Sequence, residues 1–205
     1  MFDSSFFYTI MEISKIIYER REIFMKLMIA SDIHGSAYYC RQMFDAMKKE
    51  QPEKLLLLGD LLYHGPRNDL PEKYDPKTVI SMLNQYRDMI LCVRGNCDAE
   101  VDQMVLDFPI QSDSCILFLN GRTFFASHGH IDSENQPPKL HKGDILLNGH
   151  THIPAWREHE DFLYLNPGSV SIPKEGSPHS YMILDDQTLY WKELNGSTYH
   201  TLKLE

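Results

Sequence analysis

Residues 27–34 read LMIASDIH, an apolar run that stops at an aspartate and a histidine. Two further runs end in a similar way, KLLLLGD at 54–60 and MILCVRGN at 89–96. Short apolar runs bounded by turn residues are typical of buried strands. The stretches between them, 36–50 and 75–85, begin with side chains that cap helices, Ser in one and Asp-Pro in the other. This β-α-β-α-β order predicts parallel strands with right-handed crossovers.

The second half of the chain is dominated by strand patterns. A hairpin is predicted over 116–126, because Asn120-Gly121 is a favoured two-residue hairpin turn. Further strands are predicted over 145–147, 162–165, 181–184, 189–192 and 198–204. The sequence shows no internal repeat, low-complexity tract or interdomain linker. It therefore predicts one α/β domain built on two sheets.

Composition and charge exclude several classes of protein. The chain has 205 residues, of which 42% are hydrophobic and 24% charged, and these values exclude a disordered, collagen-like or membrane-spanning chain. The net charge is -9, whereas a nucleic-acid-coating protein carries a basic stripe, so no stable nucleic-acid complex is expected. A phosphate substrate stays compatible with this charge, because bound cations invert the local field.

The four cysteines do not form a metal or disulfide motif. None of them lies in a C-x-x-C pair, and four in 205 residues is too few for a disulfide scaffold. A reducing, cytoplasmic location is therefore expected.

Residues 1–24 are apolar in patches but interrupted by charges, so neither a membrane span nor a secretory signal is predicted there. Apolar side chains at helical spacing predict a short amphipathic helix; they are Phe6, Ile10, Ile13 and Ile17. This helix would pack on the domain or on a neighbouring subunit, or form an extension that the domain does not need. Together with the apolar strand pattern at 199–204, it is compatible with a homo-oligomer.

Five of the apolar runs end in side chains that can bind metal ions. These are Asp32, His34, Asp60, Asn96, His128, His150 and His152. Each motif alone is weak, but together they are predicted to converge, because ligands of open α/β sheets bind beyond the carboxyl ends of the strands. The mixed nitrogen and oxygen donors suit Mn, Fe, Zn or Co, and seven of them suit two ions ~3.5–4 Å apart.

The order D-x-H, G-D, G-N, H, G-H-x-H resembles the signature of the calcineurin-like metallophosphoesterases. The details are similar to the small bacterial and archaeal phosphodiesterase subgroup. The resemblance implies a four-layer α/β/β/α sandwich of two mixed sheets over residues 25–205, with residues 1–24 outside that domain. It also implies two divalent ions, with Mn2+ favoured over Zn2+, Fe2+, Ni2+ or Co2+.

The resemblance further implies how the ligands divide between the two ions. The first ion would be held by Asp32, His34, Asp60 and His152, and the second by Asp60, Asn96, His128 and His150. Asp60 would bridge the ions together with a water or hydroxide. The implied reaction is in-line attack of that hydroxide on a small phosphodiester, without a covalent intermediate.

One position departs from the family pattern. Where many members carry G-N-H-[DE], this chain has Gly95-Asn96-Cys97-Asp98, and a thiol is a poor substitute for an imidazole acid. Either the substrates have good leaving groups, or His130 supplies the proton. Asp98 would orient a neighbouring side chain or cap a short helix. Thiol catalysis by Cys97 is disfavoured, because the sequence offers it no histidine partner apart from metal-ligand candidates.

The segment at 63–74 is long for a βα connection and follows Asp60, so it is predicted to shape substrate access. Its candidate substrate-binding side chains are Arg67, Asn68 and His64. The first function predicted is that of a phosphodiesterase. A phosphomonoesterase or nuclease with the same site, and a non-catalytic scaffold of this fold, remain as alternatives. The acidic charge disfavours a processive nuclease, and the complete ligand set disfavours a scaffold.

Overall fold

A computed structural model describes residues 25–204 of the chain. The predicted amphipathic helix within residues 1–24 lies outside the described residues. The helices are α1 (Ala37–Glu50) and α2 (Pro76–Gln85), and a short 3-10 helix spans Glu100–Met104. The strands are β1 (Leu27–Ala30), β2 (Lys54–Leu57), β3 (Ile90–Cys92), β4 (Ser114–Leu119), β5 (Arg122–Ser127), β6 (Asp144–Leu147), β7 (Ala155–Glu158), β8 (Phe162–Asn166), β9 (Ser180–Asp185), β10 (Thr188–Glu193) and β11 (Thr198–Lys203).

The first sheet has six strands in the order β11-β10-β9-β1-β2-β3. Strands β1, β2 and β3 run parallel, and at their carboxyl ends Ala30 pairs with Leu57 and Leu57 with Cys92. Strand β9 pairs with β1 in the antiparallel sense, so the sheet is mixed. The turns that follow β1, β2 and β3 therefore meet at one edge.

The second sheet has five strands in the order β4-β5-β6-β8-β7. Its three central strands run parallel, and at their carboxyl ends Ala126 pairs with Leu147 and Leu147 with Leu165. The outer strands β4 and β7 pair in the antiparallel sense. This sheet also gathers the turns after its parallel strands at one end.

The hydrophobic core lies in layers on both faces of the first sheet. Helices α1 and α2 pack on its outer face, where Met43 and Leu83 belong to one buried cluster. Between the sheets, Ile29 and Leu56 pack with Phe124 and other apolar side chains of the second sheet. Within residues 25–204, the outer face of the second sheet is covered by the connection between β5 and β6, which contributes Leu140, and by no helix.

Both helices begin where the sequence predicts. Ser36 accepts the N–H of Tyr39 at 3.3 Å, and Asp75 accepts the N–H of Thr78 at 3.2 Å, so each satisfies a free donor of the first turn. The predicted α/β fold of two mixed sheets is present. Strand β7 was not predicted, because three of its four residues are exposed and leave no apolar run to recognise. A short helix does follow Asp98, but its N-cap is Ala99, whose N–H donates to Asp102, so Asp98 does not cap it. Within residues 25–204, no helix has the length and apolarity needed to cross a bilayer.

Candidate metal centre

The turns after the parallel strands hold their side chains with unusual backbone angles. Positive φ values occur at Asp32 (60°), His34 (48°), Asp60 (56°), His150 (65°) and His152 (61°). Left-handed residues other than glycine are uncommon, and each costs of order 1–3 kcal/mol unless its surroundings impose the conformation. Five of the seven predicted ligands share this conformation, which is typical of a functional site.

The base of the site is formed by Asp32, His34 and His152. All three are buried; Asp32 is 0% and His34 is 1% exposed. The Oδ1 atom of Asp32 lies 3.2 Å from His152 Nε2 and 3.5 Å from His34 Nε2. The two Nε2 atoms lie 3.3 Å apart. These distances bring two turns from different sheets to one point.

Asp60 joins this group to a second one. Its Oδ2 lies 3.6 Å from His34 Nε2 and 3.4 Å from His128 Nε2. On the far side, His128 Nε2 lies 3.0 Å from Asn96 Oδ1 and 3.2 Å from His150 Nδ1. The structure therefore brings all seven predicted ligands together, with Asp60 between the two groups.

Backbone carbonyls fix the orientation of three imidazoles. The Nδ1 atoms of His34, His128 and His152 lie 2.8, 2.6 and 2.8 Å from carbonyl oxygens, those of Tyr63, Leu58 and Ile172 respectively. A carbonyl oxygen only accepts, so in each neutral ring Nδ1 carries the hydrogen and Nε2 presents its lone pair. Such carbonyl partners are typical of metal-binding histidines.

This donor arrangement fits a metal ion. The Nε2 lone pairs of His34 and His152 face each other, and two lone pairs at that distance repel unless a cation lies between them. Asp32 Oδ1 is buried beside them without a well-aligned hydrogen-bond donor among the described residues. Imidazole and carboxylate groups together suit borderline divalent ions.

The charges in the metal-free cluster are strongly coupled. Burial would raise the pKa of Asp32 and of Asp60, but the adjacent imidazoles outweigh burial and hold both pKa values below their ordinary range. Burial would lower the pKa of His128, yet the two carboxylates raise it to about 9. Burial and the charge of His128 lower the pKa of His150 to about 4. In the absence of metal, His128 thus supplies positive charge beside the carboxylates.

Two glycines make room for the crowded turns. A Cβ atom on Gly95 would lie 2.1 Å from Asp60 Oδ1 and 2.3 Å from the Asp60 backbone nitrogen. A Cβ atom on Gly149 would lie 1.9 Å from Ser31 Oγ and 2.9 Å from Asp32 Oδ2. Any larger side chain at either position would therefore displace a predicted ligand.

Polar side chains beyond the predicted ligands support the base of the site. The hydroxyls of Ser169 and Ser171 both donate to the Asp32 carbonyl, at 2.9 and 3.0 Å. Asn166 donates to the Gly149 carbonyl at 2.8 Å, so this side chain supports the turn that carries His150. The contacts of the two serines with Asp32 were not predicted, because the two segments are distant in sequence.

Cys97 lies beside the predicted ligands. Its backbone N–H donates to Asp60 Oδ1 at 2.7 Å, and its Sγ accepts from Asn96 Nδ2 at 3.2 Å. Burial and the nearby carboxylates raise the pKa of the thiol to about 12. A group of three possible ligand atoms within 4.8 Å of one another includes this sulfur together with His34 and Asp60.

A cavity of about 370 Å³ opens over the ligands. Two of the predicted substrate-binding residues, Arg67 and Asn68, line it, although the amide nitrogen of Asn68 donates to the His64 carbonyl at 2.8 Å. Lys174 also lines the cavity and was not predicted, because it lies in the connection between β8 and β9, outside every ligand motif. A depression of about 520 Å³ around Lys142 lies at the opposite end of the second sheet, near the start of β5 and β6.

The predicted substrate-binding residue His64 and the predicted proton donor His130 lie outside the cavity lining. His64 packs edge-on between the rings of Tyr63 and Tyr74, with centroid distances of 4.8 and 5.2 Å. His130 stands beside His128, with ring centroids 5.4 Å apart, and burial lowers the pKa of His130.

Comparisons with known proteins agree with this geometry. The family model described as the calcineurin-like phosphoesterase superfamily domain matches residues 25–188. The chain is 44% identical to phosphodiesterase YfcE of Escherichia coli K12 over 171 residues, which cover 83% of this chain and 93% of the relative. It is 25% identical over 177 residues to phosphodiesterase MJ0936 of Methanocaldococcus jannaschii, covering 83% of this chain and 98% of the relative.

Solved structures give the same result. The structure of YfcE, a phosphoesterase from E. coli, aligns with a TM-score of 0.85 at 42% identity and covers 88% of this chain and 100% of its own. Vps29 of Chaetomium thermophilum shares the fold at 16% identity, with a TM-score of 0.58 over 88% of this chain and 100% of its own. These matches confirm the predicted α/β fold of two mixed sheets. The chain belongs to the calcineurin-like phosphoesterase superfamily.

Proposed function

We propose that this chain is a metal-dependent phosphodiesterase that hydrolyses small phosphodiesters with two divalent ions. The observation that carries the proposal is the convergence of seven potential ligands from five strand ends, with neighbouring ligand atoms 3.0–3.6 Å apart. The 44% identity to phosphodiesterase YfcE supports the choice of a diester over a monoester.

The ligand geometry supports two adjoining metal sites. We assign the first ion to Asp32, His34, Asp60 and His152, and the second to Asp60, Asn96, His128 and His150. The position of Asp60 Oδ2 between His34 and His128 supports a bridging role for this carboxylate. Mn2+ is the proposed ion, because four imidazole nitrogens combined with carboxylate and amide oxygens suit borderline ions better than Ca2+ or Mg2+.

When bound, the ions would supply an acidified water near neutral pH and neutralise the phosphate oxygens. The protein contributes fixed ligand orientation: the carboxylates stay ionised, and the carbonyl partners keep three Nε2 atoms directed inward. Arg67 and Asn68 are the proposed substrate-binding residues of the rim.

The structure supports substrates with good leaving groups. In the metal-free protein, burial and the nearby carboxylates raise the pKa of the Cys97 thiol to about 12, which makes it a weak acid there. Burial lowers the pKa of His130, which disfavours the protonated form of this ring. A leaving group such as a phenolate needs little protonation and would depart without either residue. His130 remains the candidate acid for less reactive esters.

Several features of the protein's setting are also proposals. The four free cysteines support a reducing, cytoplasmic location. Residues 25–205 would form the catalytic domain and residues 1–24 an extension outside it. A homo-oligomer is compatible with the exposed Ile116 and Phe118 on the edge strand β4.

The test is metal depletion followed by separate addition of Mn2+, Mg2+, Zn2+, Ni2+ and Ca2+. Turnover of bis(p-nitrophenyl) phosphate and of p-nitrophenyl phosphate would be followed side by side, with metal content measured by elemental analysis. Asp60→Ala is the test variant, and Asp102→Ala, outside the cavity, is its control. Diester turnover restored by Mn2+ and lost in Asp60→Ala supports the proposal. Monoester turnover alone would favour a phosphomonoesterase, and two bound ions without turnover of either ester would favour a scaffold.

A further inference from the structure

Two cations line the cavity over the predicted metal centre, and they come from different parts of the fold. Arg67 lies in the connection between β2 and α2, whereas Lys174 lies between β8 and β9. The backbone N–H of Lys174 donates to the His152 carbonyl at 3.2 Å, so the Lys174 backbone lies against the turn of a ligand proposed for the first ion. The Arg67 segment passes close to Cys97. A Cβ atom added to Gly65, two residues before Arg67, would lie 3.2 Å from the Cys97 sulfur.

Neither cation has an anionic partner among residues 25–204. Arg67 and Lys174 form no ion pair within the described part of the chain, although Asp69 and Glu175 are close to them in sequence. Both side chains are exposed. Asp60, a proposed metal ligand, is the sole carboxylate lining the cavity over the described residues. An acidic chain with a net charge of -9 thus presents two free cations at one opening.

Charge counting indicates what these cations would bind. A phosphodiester carries one negative charge. Two divalent ions held by Asp32 and Asp60 would already leave the centre positive enough to balance that charge and a bound hydroxide. Arg67 and Lys174 then add positive charge that a simple diester does not use. A planar guanidinium and a flexible ammonium are the usual partners of phosphate and carboxylate groups.

We infer that Arg67 and Lys174 form a second anion subsite, so that the preferred substrate is a phosphodiester with a further phosphate or carboxylate group beyond the scissile ester. The inference rests on the proposed phosphodiesterase function. Lys174 is the specificity-determining residue of this subsite, and Arg67 contributes to it from the connection between β2 and α2. The arrangement favours phosphodiesters that carry a second anionic group over phosphodiesters that carry none.

The test compares thymidine 3′-(p-nitrophenyl phosphate) with the same compound carrying a 5′-phosphate. In the Mn2+-loaded wild type, kcat/KM should favour the 5′-phosphorylated substrate by about tenfold, the effect of one charge-assisted contact. In Lys174→Met this preference should fall towards unity, chiefly through KM. Adding Arg67→Met to this variant should reduce any preference that remains. Lys142→Met, an exposed lysine at the opposite end of the second sheet, should keep the preference.

A binding measurement separates this inference from the proposed activity. Thymidine 3′,5′-bisphosphate should raise the melting temperature of the wild type more than thymidine 3′-phosphate does, and Lys174→Met should abolish the difference. The subsite would be overturned if Lys174→Met kept the wild-type ratio of kcat/KM values for the two substrates and the wild-type difference in melting temperature between the two nucleotides. Loss of all diester turnover with the melting difference intact would instead overturn the proposed function and leave the subsite standing.

Discussion

The Asp98 carboxylate accepts the backbone N–H of Asp60 at 2.8 Å. It also accepts the N–H groups of Gly95 and Leu61, each at 2.8 Å. These donors lie in the turns after β2 and β3, so one buried carboxylate joins the turn of Asp60 to that of Asn96. Burial raises the pKa of Asp98, although the backbone donors oppose this shift. Asp98 therefore positions proposed metal ligands through the backbone.

Replacing Asp98 should loosen the metal site. In Asp98→Asn an amide NH2 would face backbone N–H groups, which leaves at least one buried donor unpaired. We expect Mn2+ affinity to fall by about 10–100-fold and the free energy of unfolding by about 1–3 kcal/mol. Metal titration and urea unfolding measure the two effects. Asp102→Asn, which alters only the cap of the 3-10 helix, is the matched control. Unchanged metal affinity in Asp98→Asn would refute the positioning role.

Gly95 does not have a left-handed φ, so backbone conformation is not what requires a glycine here. It is required for space, because a Cβ atom at this position would collide with the Asp60 backbone. Gly95→Ala should displace Asp60, remove metal binding and lower the free energy of unfolding by about 1–3 kcal/mol, the range for overpacking. Metal content and thermal unfolding report both. Gly143→Ala is a useful comparison, since its Cβ meets open space and the substitution tests left-handed strain alone. A metal-replete Gly95→Ala would contradict the steric argument.

Cys97 should prove dispensable as a nucleophile. In the metal-free protein, burial and the nearby carboxylates raise the pKa of its thiol to about 12, and only the thiolate is a strong nucleophile. We expect Cys97→Ser to retain kcat for bis(p-nitrophenyl) phosphate within about threefold, which is less than about 1 kcal/mol in the barrier. Steady-state kinetics with metal content checked for each sample decide the matter. A thousandfold fall with full metal occupancy would indicate covalent catalysis.

The metal-free protein should be most stable near the ordinary histidine pKa of ~6.5. The pKa of His128 is raised to about 9, so its contribution is complete below ~6.5 and is lost as pH rises towards about 9. The pKa of His150 is lowered to about 4, so stability is gained as pH rises from about 4 towards ~6.5. Measuring the free energy of unfolding of chelator-treated protein between about pH 4 and about pH 9 tests both the rise on the acidic side and the fall on the alkaline side.

Metal binding should reverse the loss of stability on the alkaline side. Divalent ions bind neutral imidazoles, so Mn2+ should stabilise the protein more strongly as pH rises from ~6.5 to about 9. His128→Gln in metal-free protein should remove most of the alkaline loss. The gain in stability between about pH 4 and ~6.5 should shrink but persist, because burial also lowers the pKa of His150. A metal-free protein that gains stability steadily over the alkaline range would show that His128 is not protonated there.

The linear pattern of the chain was enough to predict which candidate ligands the fold brings together. Each candidate stands directly after an apolar run, as Asp32 follows β1 and His128 follows β5, and strand ends of one sheet converge by geometry. The helices could be predicted for a local reason also, since Ser36 and Asp75 act on residues three positions away. Such signals are readable because cause and effect lie within one turn of chain.

Contacts between distant segments were decided by the tertiary structure. The serines at 169 and 171 reach the Asp32 carbonyl across more than a hundred residues, and Lys174 reaches the cavity from a connection without a motif. His64 shows the converse: its position after Asp60 suggested a substrate contact, yet packing against Tyr63 and Tyr74 places it outside the cavity lining. Residue type and spacing determine which groups this protein can bring to a metal centre. Only the packing of two sheets determines which way each ring turns, because that depends on carbonyls and side chains far away in sequence.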